Sequence, residues 1–405
     1  MHLKKLLALL LALTLLPCFP VLAEETDETD DAAQNETEEV LDPDDTASDG
    51  ADLTEEEMAE IAALDEVDED EEESAATAQS GDVYMEDTLD MYDVNSTAIY
   101  TAHISDNSTL YATKDKEGPR VAQYTNGFTA DILYVGLVWV IARNNKDGKI
   151  GWIKRERISS VTAVDSVNTC PYGVMKSIYL ATTATSAHIR KSMNDNADCY
   201  LVLNEGTQLS IWEIRNGWAI IIYKRNYGYI NMNELTDLIP VSPTDEPISD
   251  DSPIAAYTSY YTVNDTEIVQ NRITNIGVAC ERLTRVMQPG ESLNFNKQVG
   301  PFRKSNGYKS AIVLVDGKSV VGSGGGTCQV SSTLYNALLQ LPGIEILQRR
   351  PHGPSGASYL PHGVDAAVGS DNLNLRFRND YDFPIRVEGH SSRDGALLMV
   401  IYRAD

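Results

Sequence analysis

The sequence predicts a multidomain chain in which two small all-β barrels precede an α+β domain, with a disordered acidic linker in front. Three observations carry this expectation. Residues 24–82 are acidic without a single base, short β-rich runs recur with matched spacing between 97 and 240, and a glycine-rich turn at Gly322 leads into a helical pattern ending near Leu341. At 405 residues the chain has room for two to four domains.

At the start, Lys4 and Lys5 precede the apolar run Leu6–Leu16, Pro17 and Pro20 break it, and Val21-Leu22-Ala23 has the small-residue spacing of a signal-peptidase site. Residues 1–23 therefore read as an export signal, with a retained anchor as the alternative. The run is short for a membrane span. The expected product is secreted, on the outer side of the cytoplasmic membrane, with no stable insertion once the signal is removed. Between Glu24 and Asp82 there are 27 acidic residues and no Lys, Arg or His. Dense like charge with little apolar surface cannot offset ordering entropy, so 24–96 reads as a linker. Outside it and the signal, 34 acids face 30 bases. The net charge of −29 belongs to the linker, and no basic patch remains for nucleic acid.

The repeat follows. Tyr111, Gly127, Trp139 and Gly151-Trp152-Ile153 in one copy answer to Ile189, Gly206, Trp218 and Gly228-Tyr229-Ile230 in the other, with 12 residues from Gly to Trp in both. Short strands separated by turn residues predict two barrels, over 97–165 and 174–240. The second copy, from His188 to Leu235, resembles the bacterial SH3-like family, and the first resembles it less closely. That resemblance implies binding to cell-wall peptidoglycan, with Trp218 as a contact. Trp139, Trp152, Trp218 and Tyr229 suit a core as well as a ligand platform.

Residues 241–255 (Pro, Asp and Ser rich) read as a second linker, and 256–405 as the last domain. Within it Ile268–Val286 has helical periodicity, stopped by Gln288-Pro289-Gly290. Extended pieces are expected at Ser292–Phe295, Ala311–Val315, Ser319–Val321, Leu373–Phe377, Ile385–Gly389 and Leu397–Ile401. Asp316-Gly317 is a hairpin signal.

Val330, Leu334, Ala337, Leu338 and Leu341 form one apolar face of the helix after the glycines. A helix starting near Thr327 puts Cys328 in its first turn, where N–H groups and the helix dipole favour thiolate. Four cysteines remain beyond the signal: Cys170, Cys199, Cys280 and Cys328. They are too sparse for a disulfide framework, with Cys170–Cys199 the nearest pair in sequence. A cysteine nucleophile needs a base and a group that orients it. His352, His362 and His390 share its domain, and Asp365 is the best-placed carboxylate in sequence. The histidines are too few and too spread for a zinc site, and thiol acyl transfer needs no cofactor.

Residues 257–389 resemble the VanW domain family through Pro289-Gly290-Glu291, Phe295-Asn296, Gly307-Tyr308-Lys309-Ser310-Ala311, GGGTCQVSSTLYNAL from Gly324, His352, and the run Tyr359–Asp365. The resemblance implies a cysteine L,D-transpeptidase acting on peptidoglycan stem peptides. Cys328 would be the nucleophile, His352 the base (His362 a second candidate) and Asp365 its orienter. Gly324, Gly325, Gly326, Gln329 and Tyr308 would bind substrate, and no metal or cofactor is expected. Two alternatives remain: a cysteine peptidoglycan hydrolase, and a non-catalytic wall-binding protein.

Overall fold

The computed structural model describes residues 83–165, 169–315, 318–353 and 356–404. The expected export signal, the acidic run to Asp82 and the Asp316-Gly317 hairpin signal lie outside them.

The first repeat comprises β1 (Tyr100–Ile104), β2 (Ser108–Tyr111), β3 (Arg120–Tyr124), β4 (Phe128–Val135), β5 (Trp139–Asn144), β6 (Ile150–Lys154) and β7 (Ile158–Ala163). The second comprises β8 (Tyr179–Thr183), β9 (Ala187–Arg190), β10 (Cys199–Leu203), β11 (Gln208–Ile211), β12 (Glu213–Arg215), β13 (Trp218–Tyr223), β14 (Asn226–Asn231) and β15 (Leu235–Pro240). Every antiparallel pairing in the first has its counterpart in the second. β1 pairs β4 and β7 as β8 pairs β11 and β15, and β2 pairs β3 and β6 as β9 pairs β10 and β14. β5 lies between β4 and β6 as β13 lies between β12 and β14. The two expected barrels do not close. Among the described residues the first ladder runs open from β3 to β7, and the second is split into a five-stranded and a three-stranded sheet. The split falls at Trp212, where the run that answers to β4 is interrupted between β11 and β12.

Both faces of the central strands are buried, for different reasons. On β5, Val140 and Ala142 join Tyr100, Ile132 and Ile153 in the repeat's core, while Trp139 and Ile141 pack with Leu133 and Trp152. On β13, Ala219 and Ile221 face the core, and Trp218 and Ile220 pack with Tyr229. The outer clusters are roofed by a segment expected to be linker: Leu89 and Tyr92 cover the first, Tyr84 the second. Tyr84 N–H donates to the Tyr229 hydroxyl at 2.6 Å. Glu86 joins the repeats, accepting from Tyr227 and pairing with Lys114. Burying aromatic rings of this size contributes about 4–6 kcal/mol each by area. Trp218, at 9% exposure, is thus a core residue and not an open ligand platform.

The stretch 241–255 does not hold the last domain away. Its ends close on each other through Ser242 N–H to Pro253 O (2.8 Å), and Val241 and Ile254 are buried. The second repeat shares a core with Tyr260 and Ala396. Asp394 accepts from Asn204 N–H at 2.5 Å and from the Thr207 hydroxyl at 2.7 Å.

The last domain is built on an antiparallel sheet of β16 (Ala255–Tyr260), β17 (Arg285–Met287), β23 (Ile385–Ser391) and β24 (Ala396–Arg403), in the order β16-β24-β23-β17. A second sheet joins β18 (Ser292–Asn294), β21 (Ile344–Gln348) and β22 (Arg376–Asn379), and β19 (Ser310–Val315) pairs with β20 (Lys318–Ser323) as a hairpin. Among the described residues three α-helices complete it: α1 (Glu267–Leu283), α2 (Phe295–Val299) and α3 (Thr327–Leu338). The helix expected to reach Val286 stops at Leu283. Thr284 leaves helical backbone, and its hydroxyl accepts Gly389 N–H at 3.1 Å, so Arg285–Met287 pairs with β23 instead. On α1, Ile268, Ile273, Ile276, Ala279, Cys280 and Leu283 are buried, as their spacing predicts.

Candidate active site

Gly324 and Gly326 have φ of 86° and 106°, left-handed values that favour glycine. Gly325 is required for a different reason: a Cβ there would sit 2.3 Å from Ile312 O. Asn275, fully buried on α1, fastens the turn. Its amide donates to Gly325 O and Lys309 O, both at 3.0 Å, and its oxygen accepts Lys309 N–H at 2.7 Å. The helix then starts with Gly326 as its N-cap, and Cys328 lies half-buried in the first turn. Thr327 N–H and Gln329 N–H are taken by Gly324 O and Gly326 O at 3.2 and 3.0 Å. Gly325→Ala is expected to cost about 2–4 kcal/mol, since backbone must move to relieve the contact. Urea unfolding would read this, and a loss below about 0.5 kcal/mol would contradict the close approach.

Helix α3 is buried on its polar side as well as on its apolar face. The Ser331 hydroxyl donates to Ala366 O at 2.6 Å, Ser332 Oγ accepts Ala366 N–H at 2.9 Å, and Asn336 donates to Val364 O at 2.7 Å. These bonds lay residues 364–368 along the helix. Val368 N–H consequently lies 3.5 Å from Cys328 Sγ.

The same segment carries Asp365, 1% exposed. One of its carboxylate oxygens accepts both His352 N–H and ring Nδ1, each at 2.7 Å. Arg349 pairs with the other oxygen at 3.2 Å and donates to Asp365 O at 2.6 Å. With Nδ1 engaged by Asp365, Nε2 is the ring nitrogen left to face Cys328, the second partner that raises His352. Burial works against the imidazolium, but hydrogen bonds to Asp365 and Cys328, and their charge, outweigh it and push His352 up to about 10. Burial likewise works against the Asp365 carboxylate. The His352 hydrogen bonds and Arg349 prevail, holding it below its usual range. Tyr359 stands edge-on to the His352 ring at 6.5 Å, its hydroxyl 3.4 Å from Ser332 Oγ. Burial and the neighbouring Cys328 push its phenol well upward, so it stays neutral.

Cys328, His352 and Asp365 are thus brought together, and Gly324–Gly326 form the turn beside them. Gln329 and Tyr308, read as substrate contacts, are not at the surface of the site. Gln329 is 1% exposed, bonded to Ser259 Oγ and Tyr260 O at 3.0 Å and to Arg272 at 2.7 Å. Tyr308 is also 1% exposed and donates to Val299 O at 2.8 Å. Both satisfy buried backbone, as the interior demands. His390 lies on β23, 3.2 Å from Glu388. Cys170 and Cys199 are free thiols, so the pair nearest in sequence is not bonded. Burial pushes the Cys280 thiol up to about 12. Among the described residues no group of three metal-ligating side chains gathers, and no helix is long and apolar enough to cross a membrane. Arg349, Tyr359 and Ser332 are the site residues that sequence reasoning missed. Arg349 carried no signal beyond its place three residues before His352, whereas Ser332 lay in a polar stripe on an otherwise apolar helix.

Residues 271–402 match the family model described as VanW like protein, a span that contains Asn275, Cys328, His352 and Asp365. The uncharacterized protein YoaR of Bacillus subtilis is 35% identical over 153 residues, 38% of this chain and 48% of that protein. The vancomycin B-type resistance protein VanW of Enterococcus faecalis is 33% identical over 118 residues, 28% of this chain and 42% of that protein. The chain spans about half, or less, of the curated relatives it matches. Over these residues the C-terminal part of the chain is similar to the VanW-like family. The structure of NlpC1 from Trichomonas vaginalis aligns over 80% of this chain and 99% of that one, at 12% identity and a TM-score of 0.15, too low to indicate a shared fold.

Proposed function

We propose that this chain is an exported cell-wall L,D-transpeptidase whose Cys328 carries the acyl group. The observation that supports it best is the line from Asp365 through His352 to Cys328 at the start of a buried helix. The substrate follows from the VanW resemblance: the amide between meso-diaminopimelate and D-Ala in a tetrapeptide stem. Cys328 Sγ attacks that carbonyl, and the negative charge that develops on its oxygen falls beside the Cys328 N–H at the helix start. His352 Nε2 delivers its proton to the departing D-Ala nitrogen, and a thioester forms. An amine of a neighbouring stem then attacks, Nε2 takes its proton, and the thiolate is released as the cross-link closes. Asp365 keeps Nδ1 protonated and the ring aimed throughout. Export is read from residues 1–23, and the two repeats are read as SH3-like units that accompany the domain in the wall.

Intact mass of the chain from Glu24 to Asp405, incubated with a disaccharide-tetrapeptide, tests this. The expected product is an adduct of substrate less D-Ala on the Cys328 peptide, together with dimeric muropeptides. Shortened stems without dimers would point to a hydrolase. Bound but unaltered substrate would leave only a binding protein.

A further inference from the structure

The loop bearing the candidate site is held largely by side chains. Between β21 and β22 the described residues form no strand or helix. The carbonyls of Val364, Asp365 and Ala366 are taken from within the domain by Asn336, Arg349 and Ser331. Those of Ala357, Leu360 and His362 are taken from outside it. Arg155, which follows β6 of the first repeat, donates to His362 O at 2.8 Å, and its other branch to Gly136 O and Leu137 O at 3.2 Å. Arg225, in the β13–β14 turn of the second repeat, reaches Leu360 O at 3.3 Å and Ala357 O at 3.4 Å. Both guanidinium side chains are deeply buried, Arg155 at 2% exposure and Arg225 at 8%. Tyr172 stacks on Arg155 at 5.3 Å. Gly173 passes so close that a Cβ there would lie 2.1 Å from the Arg155 Nη2 and 3.3 Å from Val364.

Apolar pairs would glue folded units together at lower desolvation cost than two buried cations. What two guanidinium forks add is direction, fixing several carbonyls at once. The carbonyls they fix flank Tyr359 and lie three to eight residues before Asp365. We infer that the two repeats position the catalytic loop: Arg155 and Arg225 hold residues 357–362 so that Tyr359 and the His352–Asp365 pair face Cys328. This rests on the acyl-transfer reading of that site. It makes the repeats part of the active centre's framework, whatever else they bind.

The test is Arg155→Met with Arg225→Met in the Glu24–Asp405 chain, in a Cys170→Ser, Cys199→Ser background. Two readouts are compared with the parent chain: cross-linking of the tetrapeptide, and the rate of Cys328 alkylation by iodoacetamide from about pH 5 to about pH 9. The charged and titratable groups at the site are His352 and Tyr359, which interact with Cys328, and Asp365, Arg349 and Arg272, which interact with His352, Asp365, Tyr359 or Gln329. A folded variant is expected to lose about tenfold in kcat with KM little changed, as slight misplacement does. Its alkylation profile should shift toward that of an unpaired thiol. Unchanged kcat and an unchanged profile would overturn the inference. If the double variant does not fold, Arg155→Lys and Arg225→Lys, which keep charge but lose the fork, are read the same way. If the parent chain alkylates normally but never turns over stems, the acyl-transfer reading fails, and the alkylation comparison still decides whether the arginines position the pair.

Discussion

Cys328→Ser is expected to reduce cross-linking by at least about 10³-fold while leaving the fold intact. The substitution is nearly isosteric, and the partners it disturbs include Val368, the His352 ring and Tyr359. Melting should shift by no more than a few degrees, so lost activity would report chemistry. Serine is a poor replacement here for a specific reason. A hydroxyl gives up its proton only to a neutral imidazole, and Asp365 holds His352 in its protonated form. A thiol gives up its proton far more readily than a hydroxyl does, and its sulfur is the better nucleophile. The measurement is muropeptide turnover beside binding of the same stem. Retention of more than a tenth of the parent rate would remove Cys328 from the chemistry. It would leave the helix start as a structural turn.

How far this site was legible in the sequence depends on which physical signal each residue carried. Cys328 was placed correctly in the first turn of its helix because glycine chemistry and apolar periodicity are local. Gly324 and Gly326 need left-handed backbone, and Val330 to Leu341 mark a face. The strands around Ile385 and Leu397 were legible for the same reason. Ala255–Tyr260 and Ile344–Gln348 were not, since both are short and lie beside segments that read as linker or helix end. Gln329 and Tyr308 misled because a polar residue next to a candidate nucleophile looks like a contact, whereas only packing shows it turned inward. Trp218 misled because its roof, Tyr84, comes from 134 residues earlier in the chain, within a segment whose acidic neighbours suggested linker. Closure of the barrels could not be read at all. It depends on long-range pairing at β3, β7 and Trp212, not on any local pattern.

Asp365→Asn should cut turnover by roughly 10²–10⁴-fold and also reshape the pH dependence of stability. Asparagine can still accept one hydrogen bond from His352, but it cannot fix Nδ1 as the protonated nitrogen or balance Arg349. Removing one partner from so buried a cluster costs about 3–5 kcal/mol, so activity must be compared at temperatures where both chains are folded. Asp365 is held below its usual range, so its contribution to stability is present above its unfolded pKa and disappears as pH falls through the lower folded value. His352 is raised from 6.5 to about 10. Its contribution is complete below about 6.5 and is lost as pH rises through about 10. The parent chain should therefore be most stable between about pH 4 and about pH 6.5, with a decline on either side. In the Asn variant the His352 ring loses its main raising partner, so the alkaline decline should flatten and the acid flank should lose this carboxylate's share. Urea midpoints measured across that range decide it. Parallel curves for parent and variant would mean that Asp365 and His352 do not form the coupled pair on which the proposed mechanism depends.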